Sequence, residues 1–327
     1  MDVLVTGASG FIGAHIARRL AREPGTRVRA GSRHGRDIAK NIQAVRVDVL
    51  HPSSLDAALV GVDAVVHCAV GPRATTLTGT QNVIEAAQRA VVRRVVHLSS
   101  VAVYGDAAGR VTETTPILPC PPSGGGYAQW KAGAEALCRR ATGLSVVMLR
   151  PSIVYGVGSE PWIAHAARRI EARRWGTLGA AGEGVCNPVH VTDVAEAVLA
   201  ALRADVAHGE AFNINGPEHL TWNAWFTRLA QALGHAALPD ISPPAWRRRS
   251  QMALPIKALV RALPVLRAPF AQYLLGAPAA SELALFRLNA TYPIDKAHAQ
   301  LHWWPHMSLA DGLADAMAWM RAQGCVS

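Results

Sequence analysis

The chain has 327 residues, half of them hydrophobic and 17% charged, and 33 Lys and Arg against 23 Asp and Glu give a formal charge of +10. That length suits a large domain with a smaller one attached, around a sizeable buried core. The low charged fraction and scattered arginines argue against a nucleic-acid binder and for attraction of an anionic small ligand, while five cysteines without a C-x-x-C pair argue against a disulfide framework or a zinc ribbon.

The chain starts almost directly on Val3-Leu4-Val5, so no signal peptide is expected, and a reducing cytoplasm fits the cysteine usage. Short apolar strands are predicted at 2–6, 26–31, 44–48, 63–68, 94–99 and 145–149. Helices alternate with them. Over 11–22, Ile12, Ile16 and Leu20 share one face and His15, Arg18 and Arg19 the other; 53–60 and 79–91 read likewise, with Ser53 and Thr78 as candidate caps. Strand and helix in alternation predict an α/β fold, a doubly wound parallel sheet of Rossmann type. After about residue 155 the alternation lapses, and Pro188-Val189-His190, a helix over 193–202 and Ala211-Phe212-Asn213-Ile214 return to the sheet. The expected division is 1–155 plus about 188–216 for a dinucleotide-binding domain, and about 156–187 plus 217–327 for a mostly helical substrate domain and lid.

Between the first strand and first helix stands Val5-Thr6-Gly7-Ala8-Ser9-Gly10-Phe11-Ile12-Gly13. Glycines at 7, 10 and 13 allow a tight turn, close approach of backbone to a pyrophosphate, and close packing of helix on sheet. The amides at the helix start, around Gly10, Phe11 and Ile12, favour a negative charge. An NAD site typically places an acid roughly 20 residues beyond such a loop. Here the chain reads Ala30-Gly31-Ser32-Arg33-His34-Gly35-Arg36, without a carboxylate. Arg33 with Ser32 suits a 2′-phosphate, which points to NADP, with NAD remaining possible; the alternative leaves Arg33 pointing to water. Further on, Tyr127-Ala128-Gln129-Trp130-Lys131 places a phenol and an ammonium four residues apart on one helix face, the spacing of a proton-transfer pair.

Glycine loop and Tyr-x-x-x-Lys together resemble the extended short-chain dehydrogenase/reductases, the family of nucleotide-sugar epimerases and dehydratases, over most of the chain. The resemblance implies that Ser100, in Leu98-Ser99-Ser100-Val101-Ala102-Val103-Tyr104-Gly105, hydrogen-bonds the reacting oxygen beside Tyr127 and Lys131. It also implies that Asp48 and Val49 lie beside the adenine, that Cys68, Ala69 and Val70 run along the cofactor, and that Pro151 and Val154, in Leu149-Arg150-Pro151-Ser152-Ile153-Val154-Tyr155-Gly156, lie against the nicotinamide. The family's dehydratases carry Thr-Asp-Glu where this chain has Ser100-Val101-Ala102, so dehydration is not expected. A short link after Cys68 counts against a sugar-nucleotide substrate. Asp193, in Asn187-Pro188-Val189-His190-Val191-Thr192-Asp193-Val194-Ala195, is expected to cap or anchor a helix, and Leu301-His302-Trp303-Trp304-Pro305 resembles the family's Leu-Gly-Trp-x-Pro, ahead of a helix capped by Ser308.

The divergent stretch 243–286 holds Trp246, Arg247, Arg248, Arg249, Leu254, Leu259, Leu263, Leu266, Phe270, Tyr273 and Leu274, and reads as a lid or core element rather than a peripheral membrane contact. Pro255, Pro264 and Pro269 are expected to break any long helix there, so no transmembrane helix is expected. Trp162 and Trp175 read as core, and His298, His302 and His306 as solvated side chains with no metal among them. The expected activity is an NADP(H)-dependent oxidoreductase interconverting a secondary alcohol and a ketone of a small-molecule substrate through a Ser-Tyr-Lys relay. A nucleotide-sugar epimerase or 4-keto-sugar reductase is the alternative, and a non-catalytic dinucleotide sensor a lesser one. A homodimer is common in the family.

Overall fold

The computed structural model describes residues 1–263, 265 and 267–325. Leu266 and Pro264 lie outside the described residues. Two compact units are present: Met1–Val154 with Val189–Pro217 and Tyr292–Met307, and Tyr155–Pro188 with Glu218–Thr291 and Ser308–Ser327. Residues 292–307, expected with the second domain, belong to the first unit.

The first unit is built on seven parallel strands, β1 (Asp2–Thr6), β2 (Arg27–Ser32), β3 (Gln43–Arg46), β4 (Ala64–His67), β5 (Arg94–Leu98), β6 (Ser145–Pro151) and β7 (Ala211–Ile214), in the order β7-β6-β5-β4-β1-β2-β3. Residues 188–190 form a short strand that stays out of this sheet, contrary to expectation. Val3, Val5, Val66, Val96 and Leu98 point into one apolar layer and Leu4, Val65 and Val95 into the other. Such double-sided burial is what runs of valine in a parallel sheet provide. Helix α1 (Phe11–Leu20) lays Ile16, Ala17 and Leu20 on the first layer, as the sequence predicts.

Two helix starts differ from expectation. Helix α2 (Pro52–Leu59) opens on a proline, whose missing N–H costs nothing at that position, with His51 ahead of it. Helix α3 (Arg73–Arg89) begins after Pro72, so Thr78 lies inside it rather than at its cap. The β-branched threonines hid this start, because two of them satisfy their hydroxyls on backbone carbonyls: Thr76 donates to Gly71 O at 3.0 Å and Thr80 to Thr76 O at 2.6 Å. Next in the chain come α4 (Tyr127–Arg140) and α5 (His165–Glu171).

Helix α6 (Val191–Arg203) buries Asp193, whose carboxylate accepts the backbone amides of His306 (3.0 Å) and Met307 (3.2 Å) while its carbonyl accepts Trp303 Nε1 at 3.1 Å. Asp193 therefore anchors the loop 302–307 to the first unit. His302, in the glycine position of the family pattern, adopts φ 52° and ψ 39°, a left-handed geometry that costs a non-glycine residue roughly 1 kcal/mol.

The second unit has an aromatic core. Trp175 packs on Trp246 (ring centroids 4.7 Å), Phe226 (5.3 Å) and Phe286 (6.3 Å), with Trp222 and Trp225 also buried. Trp162 lies against Trp222 at 5.4 Å. Helices α7 (Trp222–Ala232), α8 (Pro243–Ala262), α9 (Arg267–Leu275) and α10 (Ala280–Arg287) surround that core; α11 (Asp295–Leu301) belongs to the first unit and α12 (Leu309–Ala322) to the second. Ser308 caps α12 by accepting from Asp311 N at 3.1 Å, as predicted. Contrary to expectation, Pro255 does not break α8. It stands on the exposed side of a helix that runs on to Ala262, and Pro269 sits in the first turn of α9, where no intrahelical donor is required. Among the described residues no helix is long and apolar enough to cross a membrane.

Candidate active site

The loop after β1 is shaped by contacts that leave no room for side chains. Gly7 has φ +68°, and a Cβ there would meet Ala69 N at 2.7 Å; one on Gly13 would meet Gly7 O at 2.4 Å. Gly10 donates to Gly7 O at 3.0 Å, closing the turn from which α1 starts. Backbone therefore approaches backbone beneath an open cleft of about 340 Å³. The cleft is lined by Gly7, Gly10, Ser32, Arg33, Asp48 and Val49, with Cys68, Ala69 and Val70 along its floor. Ser9, Gly71, Pro72 and Thr75, which the sequence reading did not single out, line it as well. Of the loop residues expected here, Phe11, Ile12 and Gly13 do not line the cleft: Phe11 stacks edge-on against His15 (5.7 Å), Ile12 lines the adjoining pocket, and Gly13 is buried beneath the loop.

Arg33 is exposed at the cleft, while the hydroxyl of buried Ser32 accepts from Arg36 N at 3.2 Å. Asp48 is the one carboxylate on this wall. It is already engaged by Leu50 N (3.0 Å) and His51 Nδ1 (3.2 Å), and the amide of Leu50 first, then His51 and Arg33, holds its pKa below the usual carboxylate range against a smaller effect of burial.

A smaller pocket of about 90 Å³ shares Cys68 and Val70 with the cleft and brings together Ile12, Ser100, Tyr127, Lys131, Pro151 and Val154. Leu98, Ser99 and Ser152 complete its lining, which contains no carboxylate. Tyr127 is the first residue of α4, entered through the extended Gly126, and it remains 47% exposed. Ser100 precedes the 3-10 turn Val101–Tyr104 and accepts from Ala102 N at 3.2 Å. Burial raises the Tyr127 pKa, and a hydrogen bond with Ser100 opposes that rise. Lys131, one turn further along α4, is 3% exposed and donates to Leu98 O. Burial pushes its ammonium down to about 8, and the ionised Glu135 only partly offsets that fall.

Behind these side chains runs a buried polar network absent from the sequence reading. Glu135 accepts Arg150 Nε (2.8 Å) and Nη2 (2.6 Å), the Ser99 hydroxyl (2.6 Å) and Arg139 Nη2 (2.8 Å). Arg150 Nη1 reaches Tyr104 OH at 2.6 Å, and that hydroxyl donates to Asn213 Oδ1 at 2.7 Å. The signal was available: Glu135 follows Lys131 by one more helical turn, and Ser99 and Arg150 each neighbour a residue already singled out. Beside it His67 accepts from Thr6 Oγ1 (2.7 Å), and its Nε2 donates to Thr80 Oγ1 (3.0 Å), whose own proton goes to Thr76 O. Burial brings this histidine to about 3, so it is neutral.

A cavity of about 630 Å³ elsewhere in the first unit is lined by Arg19, Glu196, Arg203, His302 and His306. His298 and His306 flank Trp304, each at 5.5 Å between ring centroids. Among the described residues no group of three or more His, Cys, Asp or Glu could hold a metal ion.

Comparison with known proteins places this geometry. A ketoreductase from Stigmatella aurantiaca, named for 4-hydroxy-2-methyl-3-oxo-4-farnesyl-3,4-dihydroquinoline-1-oxide, is 29% identical over 84% of this chain and 87% of its own. Sterol demethylase protein B of Methylococcus capsulatus is 28% identical over the whole of both chains. The crystal structure of DesIV, a dTDP-glucose 4,6-dehydratase from Streptomyces venezuelae with NAD and TYD bound, superposes with a TM-score of 0.72 at 27% identity, covering 98% of this chain and 97% of that one. The model of the NAD dependent epimerase/dehydratase family matches residues 3–215, which span the glycine loop, the Ser100–Tyr127–Lys131 pocket and all seven strands of the sheet, and the chain is a member of that family.

Proposed function

We propose that the protein is an NADP(H)-dependent oxidoreductase that interconverts a secondary alcohol and a ketone on an apolar substrate. The observation that carries this reading is the gathering of Ser100, Tyr127 and Lys131 around one pocket that shares Cys68 and Val70 with the cleft at the glycine loop. The cleft fits a dinucleotide: close backbone approach at Gly7 and Gly13, helix-start amides above it, and Arg33 where the family's NAD sites place an acid. When bound, the dinucleotide supplies or accepts a hydride. Arg33, with Ser32 beside it, holds a 2′-phosphate by charge-assisted hydrogen bonds.

In the reductive direction Tyr127 donates its phenolic proton to the carbonyl oxygen, and Ser100 hydrogen-bonds that oxygen as its charge develops. Lys131, cationic at neutral pH, lowers the cost of the phenolate left behind. No acid lines the pocket, which counts against the elimination chemistry of the dehydratases. The short segment 68–72 between β4 and α3 leaves little chain for recognising a sugar nucleotide, and the apolar substrates in the names of two relatives support an apolar ligand. Five free cysteines support a cytoplasmic location.

A nucleotide-sugar epimerase with retained NAD is the second reading; the superposition on DesIV, a nucleotide-sugar dehydratase whose structure holds NAD, supports its cofactor and substrate class but not epimerisation itself. Titrating cofactor-stripped protein with NADPH and NADH by nicotinamide fluorescence separates them: tight, exchangeable NADPH with turnover of steroid or isoprenoid ketones supports the first reading, retained NAD with turnover of UDP-sugars the second. Tyr127→Phe is expected to lower turnover about 10²–10⁴-fold with cofactor affinity unchanged, and Arg33→Asp to weaken NADPH far more than NADH. Equal losses for the two cofactors would remove the 2′-phosphate assignment.

A further inference from the structure

We propose that the outward face of α8 is a docking surface for an anionic lipid bilayer. Helix α8 is apolar on both its buried and its exposed sides. Its inner side is pinned to the second unit's core by Trp246, buried against Trp175 and donating from Nε1 to Thr177 O at 2.9 Å, with Ala253 buried on the same side. A helix so placed in a water-facing protein normally turns a polar face outward. Here Met252, Pro255, Leu259 and Leu263 follow one exposed ridge, and Leu254, Ala258 and Ala262 an adjacent one. Among the described residues, five of the eleven exposed large hydrophobics fall between Met252 and Val265, which makes this a contiguous patch rather than the scatter expected of a surface.

The charges around the patch are of one sign. Arg247 and Arg248 stand exposed at the start of α8, and Lys257 and Arg261 line one edge of the apolar ridges. From residue 241 to residue 281 the sequence contains no Asp or Glu. A second copy docked by a two-fold axis would bring this cationic rim against itself. A nucleic acid would pair with the rim and leave the leucines in water. An anionic bilayer satisfies both: phosphates meet the four cations while the ridges enter the boundary between headgroup and acyl chain. The same cations keep α8 in the plane of the interface, since no helix among the described residues can span.

The proposal is independent of the reaction, and so is its test. Full-length protein is sedimented with phosphatidylcholine vesicles and with phosphatidylcholine–phosphatidylglycerol vesicles, at low and high salt. Binding is expected to the anionic vesicles, about tenfold or more weaker to the neutral ones and reduced by salt. Leu254→Ser with Leu259→Ser, both at exposed positions, is expected to weaken that binding about tenfold or more while leaving the thermal transition and the dinucleotide titration unchanged. Lys257→Glu with Arg261→Glu is expected to abolish the preference for anionic vesicles. Absence of binding to either vesicle, equal binding to both, or an unaffected leucine variant would overturn the proposal. A concentration-dependent dimer that dissociates in the leucine variant would assign the face to a second copy instead.

Discussion

Replacing Lys131 with methionine is expected to stabilise the cofactor-free protein. The ammonium is buried, has a single carbonyl acceptor in Leu98 O, and is pushed from an ordinary 10.5 down to about 8. At about 1.4 kcal/mol per tenfold change in proton affinity, keeping it charged at neutral pH costs about 3 kcal/mol relative to the unfolded chain. Methionine fills similar space without that cost but leaves the Leu98 carbonyl without its donor, an offset of about 1 kcal/mol. The net gain at pH 7 is therefore about 2 kcal/mol. Between pH 8 and 10.5 the unfolded wild type binds more protons at this site than the folded form, so wild-type stability rises relative to the variant as pH increases. The gap is expected to close and change sign, with wild type ahead by roughly 1 kcal/mol near the top of that window. Urea unfolding of both proteins at neutral and alkaline pH measures the difference directly. A methionine variant less stable than wild type at pH 7, or a gap that does not move with pH, would refute the reasoning.

Arg150→Met leaves Glu135 buried with only Ser99 and Arg139, and is expected to cost about 3–5 kcal/mol in urea unfolding; a loss below about 1 kcal/mol would mean the carboxylate finds water. Gly13→Ala places a methyl 2.4 Å from Gly7 O, so calorimetry should show a loss of about 1–3 kcal/mol together with weaker dinucleotide titration, and unaltered titration would contradict the assigned cradle. Trp246→Ala removes a buried indole and its bond to Thr177, with an expected cost of about 3–5 kcal/mol in urea unfolding; a loss below about 1 kcal/mol would mean that Trp246 does not hold α8 to the aromatic core.

Local pattern carried most of the first unit. Valine-rich runs bounded by turns gave six of its strands to within a few residues, because a parallel strand buried on both faces is apolar throughout. The start of α3 was hidden because its first turns are rich in threonine, whose β-branched side chain loses rotamer freedom in a helix; here Thr76 and Thr80 turn their hydroxyls onto backbone carbonyls. The continuity of α8 through Pro255 was hidden because Trp246 holds the helix by tertiary contacts that override a local breaker. The return of 292–307 to the first unit rests on bonds across 85 to 114 residues of chain, from Lys296 to Ala211 O (2.8 Å) and from the amides of 306 and 307 to the Asp193 carboxylate. No periodicity records such pairings.

The candidate site divides along the same line. Gly7, Gly10, Ser100, Tyr127 and Lys131 were legible because their spacing is the chemistry, whereas Glu135 and Arg150 resembled a solvated helix face and an irregular strand end. Their burial explains how the legible residues keep their positions. Ser99 sits beside Ser100 at the end of β5, Glu135 one turn beyond Lys131 on α4, Arg150 beside Pro151 on β6, and Asn213 on β7. A bidentate pair with every branch hydrogen-bonded fixes those four segments by direction as well as distance, which apolar packing alone does less sharply. The pair is internally neutral, and burial at Glu135 is outweighed by the bonds and charge of Arg150, so its carboxyl stays ionised. It therefore offers Lys131 only a weak counter-charge, and the lysine keeps a depressed pKa of about 8. A carboxylate paired directly with Lys131 would make the fold more stable and return that pKa toward 10.5, and the arrangement found here has the opposite sign on both counts.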